Sequence, residues 1–185
     1  MKRLFYWVIV IFILFSIASC RKGKEIIRYV LTDEERSFIP YEESDSVFLQ
    51  HSSGFIFPLK VIQKYTFWET TESHHRSDDY SSYEVQVVRL TSYEPELLIV
   101  FRIVPEQIYY SFSATIYNQP YQLSSIHQPA WDSLEINNQF YEKVFVFTNS
   151  YPETPEIKAD SIYFNKRNGI LKISMTNDEA YYLIP

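Results

Sequence analysis

One thiol, four imidazoles and 23 carboxylates are the groups of this 185-residue chain that could carry chemistry. The thiol is Cys20, which follows an apolar run and the residues Ile17, Ala18 and Ser19. The metal-capable groups gather at Glu69, Glu72, His74, His75, Asp78 and Asp79. Adjacent histidines in a strand point to opposite faces, so His74 and His75 can share a metal only in an irregular loop. A hard cation would instead take Asp78, Asp79 and main-chain carbonyls. The spacing matches no recognised ligand set, so a solvated polar loop is the expectation there and no metal or cofactor is assigned. His51 falls in a turn and His127 in a loop beside Gln128 and Pro129, both ordinary surface positions. With no G-x-S-x-G, H-E-x-x-H or S-x-x-K motif, a hydrolase would need a triad built from distant residues, and enzyme function is not expected.

The segment around Cys20 has the layout of a removable signal: Lys2 and Arg3, the apolar residues 4–15, then small residues before the cysteine. As a helix, residues 4–18 would span about 22 Å against the ~30 Å hydrocarbon core, too short for a membrane anchor. This run, ending in Ile17, Ala18, Ser19 and Cys20, resembles a bacterial lipoprotein processing site. The resemblance implies a diacylglyceryl group on the Cys20 sulfur, cleavage before Cys20 and acylation of the new amine, palmitate being a typical chain. Several acyl chains would hold the protein stably at a membrane. The expected organisation is residues 1–19 as signal, 20–31 as lipidated cysteine and tether, and 32–185 as one domain.

Assigning Cys20 to lipid leaves no thiol for a disulfide, a zinc site or a nucleophile. Of 17 basic residues, Lys2 and Arg3 leave with the signal; the remaining 15 face 23 acidic ones, a net of −8. That balance excludes nucleic-acid binding, which needs basic patches against phosphates. Arg21, Lys22 and Lys24 sit where they would meet anionic headgroups. In lipoproteins of the Bacteroidota type an acidic stretch after the cysteine favours surface export. Here Arg, Lys, Gly and Lys follow, so an outer-membrane location facing the periplasm is expected.

Aromatic residues make up 18% of the chain, 16 of them tyrosines, with only three glycines, a composition that favours strands. Thr32 and Glu35 fit a capping box for one helical turn before Pro40. Everything later has strand period or turn chemistry. In residues 107–117, Ile108, Tyr110, Phe112, Ala114 and Ile116 alternate with polar neighbours and predict a half-buried strand. Tyr83, Val85 and Val87 alternate likewise until Val88 breaks the phase, which suggests a bulge. Pro58 suggests an edge position or a bend in the strand 55–69. Turns fall at Ser52 to Gly54, at Pro95, at Asn137 and Asn138, at 166–169 and at 176–179. The sum is an all-β domain of about nine or ten strands, an antiparallel sandwich or a partly open barrel with meander connections. The segment 160–183, DSIYFNKRNGILKISMTNDEAYYL, resembles the C-terminal hairpins of small uncharacterised all-β lipoproteins of the Bacteroidota type, a resemblance that implies no activity or site residues.

Exposed aromatics are the strongest functional lead. Tyr109 and Tyr117 fall on the polar face of the 107–117 strand, and Tyr121 and Trp131 in or near the following loops. Such rings stack on sugars or anchor a protein partner. The leading expectation is a non-enzymatic, lipid-anchored envelope lipoprotein that binds an envelope protein or a glycan. The alternatives are a lipocalin-like carrier of a small apolar ligand, which needs a cavity inside a closed sheet, and an envelope hydrolase.

Overall fold

The computed structural model describes residues 23–74, 77–108, 111–149 and 158–185; the signal segment and Cys20 lie outside them. Twelve strands and one short helix are described: β1 (Glu25–Tyr29), α1 (Asp33–Arg36), β2 (Ser46–His51), β3 (Ile56–His74), β4 (Ser77–Tyr93), β5 (Glu96–Ile103), β6 (Phe112–Ile116), β7 (Gln119–Gln122), β8 (Trp131–Ile136), β9 (Gln139–Asn149), β10 (Ala159–Asn165), β11 (Gly169–Met175) and β12 (Ala180–Leu183). Contacts divide the chain into two units: Glu69–Ser82 with the residues up to Arg28, and Tyr29–Trp68 with Tyr83–Pro185.

The second unit is a closed antiparallel barrel of ten strands. Each strand pairs with the next in the meander from β2 through β7, then β9 to β12; pairing of β4 with β5 and of β12 with β2 completes the ring. Of the two architectures open to the sequence, the barrel is the one formed. It closes because the last strand returns to the first, Tyr181 facing His51 and Leu183 facing Leu49. β8 stands outside the ring as a hairpin with the first half of β9, while the second half of β9 pairs with β10.

Inward positions alternate along each strand, as a half-buried sheet requires. Leu97, Ile99, Phe101 and Ile103 of β5, and Phe112, Ala114 and Ile116 of β6, face the core. The interior is filled by aromatic rings: Phe112 and Phe147 meet edge to face at 4.8 Å, and Phe101 and Phe164 lie 5.4 Å apart. One barrel end is sealed by residues 31–41. There Phe38 packs edge-on to Phe112 at 4.9 Å and Phe145 at 5.0 Å, and stacks on Phe164 at 5.9 Å. Tyr41 is buried as well, and its Oη accepts the Ile170 amide at 2.6 Å. Gly169 makes that approach possible: its φ is +75°, and a Cβ there would lie 1.9 Å from the Tyr41 Oη.

Polar bonds fix this plug. The Thr32–Glu35 capping box forms as the sequence predicts, with the Glu35 carboxylate accepting the Thr32 amide at 2.7 Å. Its other oxygen accepts the Glu106 amide at 2.7 Å. Buried Glu84 of β4 accepts the Leu31 amide at 3.0 Å and pairs with Arg36 at 2.5 Å.

Four expectations need correction. No bulge occurs at Val88: β4 and β5 keep one register from Gln86 opposite Ile103 to Tyr93 opposite Glu96. The phase break arises because Val85 and Val87 pack outside the barrel with Val104, Tyr65 and Phe67 while Val88 and Leu90 point inside. The strand expected over 107–117 starts only at Phe112, because Glu106 and Gln107 form a turn. The polar loop expected around residues 69–79 is strand as far as His74 and again from Ser77. Pro58 marks no edge, since β3 stands between β4 and β2 and Pro58 lies opposite Phe48 on β2 in continuous register.

In the first unit β1 lies along β4. The Tyr80 amide donates to the Lys24 carbonyl at 3.1 Å, the Lys24 amide donates to the Asp79 carboxylate at 3.1 Å, and the Ser82 hydroxyl donates to Glu25. Among the described residues no helix is long and apolar enough to cross a membrane.

Candidate functional site

An up-and-down barrel turns alternate hairpins at the same end, so the β2–β3, β4–β5 and β6–β7 turns share the end opposite the plug. Each carries an aromatic side chain in solvent: Phe55 at 51% exposure, Tyr93 at 88% and Tyr117 at 50%. Tyr93 pairs with Glu96 across the Glu94–Pro95 turn. Tyr117 and Asn118 occupy the left-handed region at φ 48° and 63°, between paired Ile116 and Gln119. This is the primed turn that matches strand twist. Asparagine tolerates that backbone well, whereas a bulky ring there is an outlier. Partial burial pushes the Tyr117 hydroxyl above the usual tyrosine range, and nearby Tyr181 and Glu96 add to the shift.

Carboxylates accompany these rings. Glu94 and Glu96 flank Pro95, and Asp178 and Glu179 lie in the β11–β12 turn at the same end, while residues 52–55, 93–96, 117–119 and 176–179 hold no lysine or arginine. Glu179 lies 3.6 Å from the His51 imidazole.

A second aromatic group lies on the barrel wall. The pairings place Val146, Tyr163, Lys172, Tyr182, Gln50 and Ile56 in one row across six strands. The Lys172 ammonium sits 5.3 Å from the Tyr163 ring centre and 5.6 Å from that of Tyr182, within cation–π range. Trp131 stacks on Tyr163 at 5.9 Å with the planes 19° apart. This row adjoins a small outer core of Ile136, Tyr141, Val144 and Leu171, which the β8–β9 hairpin covers.

The four aromatics singled out by sequence therefore part company. Tyr117 joins the turn end and Trp131 the wall, so they form no common platform. Tyr121 is a correction: it is 0% exposed inside the barrel, and its hydroxyl donates to the Ala159 carbonyl at 2.8 Å. Burial, aided by nearby Asp160, pushes its pKa up to about 12. Tyr109 lies outside the described residues. Sequence reasoning passed over Tyr93 and Phe55, although an aromatic residue directly beside a Pro95 or Gly54 turn was the available signal.

Of the weak metal candidates, His74 ends β3 and Asp78 lies in β4, while His75 is outside the described residues. Asp79 accepts a main-chain amide. Among the described residues no group of three or more metal-capable side chains assembles. The fold and its surfaces define a closed meander barrel with a filled interior and rings displayed at one end. Comparison with protein-family models, with curated proteins and with solved structures returns no match.

Proposed function

We propose that this chain is a lipid-anchored envelope lipoprotein, acylated at Cys20 and held at the outer membrane facing the periplasm, whose barrel is a non-enzymatic scaffold. Its turn end binds a protein partner that offers a cationic, partly apolar surface. The observation carrying this reading is the set of three exposed rings, Phe55, Tyr93 and Tyr117, mounted on successive turns beside Glu94 and Glu96. Tyrosines on turns of a rigid scaffold give large contact area at small entropy cost, and complementary charge steers the encounter. The carboxylates also argue against an anionic membrane surface as the occupant.

The test is a photo-crosslinking residue placed in cells at position 93 or 117, with Gln63 on the barrel wall as the control site. One protein, the same from both turn positions and absent from the control, is the expected product. Glycan adducts at position 93, or equal capture from Gln63, would refute the reading. Lipidation is tested separately, because Cys20→Ala should no longer incorporate labelled palmitate or sediment with membranes.

Barrel closure favours a second reading, a lipocalin-like carrier. The space such a ligand would occupy is filled by Phe38, Phe101, Phe112, Phe147 and Phe164, so a carrier would have to release residues 31–41. Uptake of a fluorescent fatty acid by Phe38→Ala but not by the parent would support that alternative.

A further inference from the structure

A groove of about 840 Å³ runs between the β8–β9 hairpin, residues 126–129 and the β10–β11 turn, well away from the turn end. Its size lies within the range that holds small ligands. Six charged residues and His127 line it; Lys166 is paired with Glu34 at 2.8 Å, and the His127 imidazole lies 2.8 Å from Glu106 of the neighbouring loop. Lys143, Arg167, Asp132 and Glu142 are exposed, and among the described residues none of them forms an ion pair. Phe140 stands at its edge at 71% exposure, with Ser133, Gln139 and Asn168 as neutral polar groups.

Lys143 stands out by its backbone. Besides Tyr117, every other non-glycine residue with positive φ in the described chain is Ser, Asn or Asp: Ser44, Asn118, Asn137, Asn138 and Asp178. Those short polar types tolerate the left-handed region, while a lysine there carries strain that glycine would relieve. Lys143 keeps φ at 50° where β9 passes from pairing with β8 to pairing with β10, and the residue lines the groove. Strain retained at a groove is a pointer to use.

We infer that this groove binds a short zwitterionic peptide, its carboxylate held by Lys143 and Arg167 and its ammonium by Asp132 and Glu142. The balance of unpaired charge selects that class. An anionic sugar would meet two carboxylates, a polycation would meet two cations, and a neutral glycan would form no ion pair with any of the four. A dipolar peptide satisfies both signs, Ser133, Gln139 and Asn168 suit its amides, and the Phe140 ring receives an apolar side chain. This site is independent of the turn-end reading.

Trialanine is the probe, titrated calorimetrically into the full chain in detergent, beside its C-terminal amide, its N-acetyl form and glucuronate. Trialanine should bind saturably with a Kd at or below about 1 mM, and each blocked form about tenfold more weakly, the scale of one charged hydrogen bond. Lys143→Gly should raise the thermal midpoint by a few degrees while weakening trialanine about tenfold, and should leave the amide unaffected. Arg167→Gln, at an exposed turn position, should weaken trialanine likewise without altering the midpoint. The inference is overturned if the parent chain shows no saturable binding, if glucuronate or a blocked peptide binds as well as trialanine, or if Lys143→Gly gains stability without losing affinity.

Discussion

The two ends of the barrel are built from similar residues put to opposite uses. At the plugged end, Phe38 fills the core, Tyr41 reaches the Ile170 amide, and Glu35 and Glu84 hold the segment in place. At the turn end Phe55, Tyr93 and Tyr117 point to solvent, and Tyr117 does so from a strained backbone. An aromatic-rich composition thus packs the core where the rings turn inward, and it leaves rings half or more exposed at the turn end. The contrast teaches that substitution cost should differ sharply between the ends.

Phe38→Ala is the severest test of that contrast. Removing the ring from its contacts with Phe112, Phe145 and Phe164 should cost about 3–5 kcal/mol in denaturant unfolding, against within ~0.5 kcal/mol for Tyr93→Ala. Equal losses would erase the distinction between the ends.

Glu84→Gln comes next. It keeps an acceptor for the Leu31 amide but removes the charge facing Arg36, and should lower stability by about 2 kcal/mol. Since the side chain lies at the plug, partner crosslinking from position 93 should be unchanged.

The buried hydroxyls give the interior an alkaline signature. Tyr121 titrates at about 12 in the folded chain because burial disfavours its phenolate, whereas an unfolded tyrosine titrates near 10. The unfolded state therefore loses its proton first, so this contribution is intact below pH ~10 and is lost as pH rises toward about 12. Tyr41, raised in the same direction by burial, acts in the same sense. Tyr121→Phe should flatten the fall in unfolding free energy over that window, and an unchanged slope would show that the hydroxyl is not protected.

The smallest effect belongs to Tyr117→Asn. Asparagine suits φ 48°, so the change should stabilise the barrel by about 0.5–1 kcal/mol while crosslinking from position 93 declines. A loss of stability would mean that the ring supports the fold instead.

Local signals were read correctly where chemistry is local. The Thr32–Glu35 capping box, the Asn137–Asn138 turn and the β10–β12 meander stand where residue types require them. Closure was not legible, because it depends on β12 finding β2, a pairing of His51 with Tyr181 that no periodicity encodes. Polar residues 69–79 read as loop because their side chains favour solvent, yet the main chain continues as strand to His74. Tyr121 sits in a four-residue strand beside Pro120, too short to show its alternation. Lys143 gave no warning of its left-handed backbone, because lysine is not a turn residue.

Pairing of β2 with β12 also sets an order of events during synthesis. The plug residues emerge early from the ribosome, but the walls that enclose Phe38 cannot close until Tyr181 has been made. Pairing so distant in sequence is slow, and it leaves apolar strands uncovered meanwhile. A chain stopped before β12 would present an open sheet with two free edges, a form prone to aggregation, which assigns the last strand the role of a latch on the whole domain.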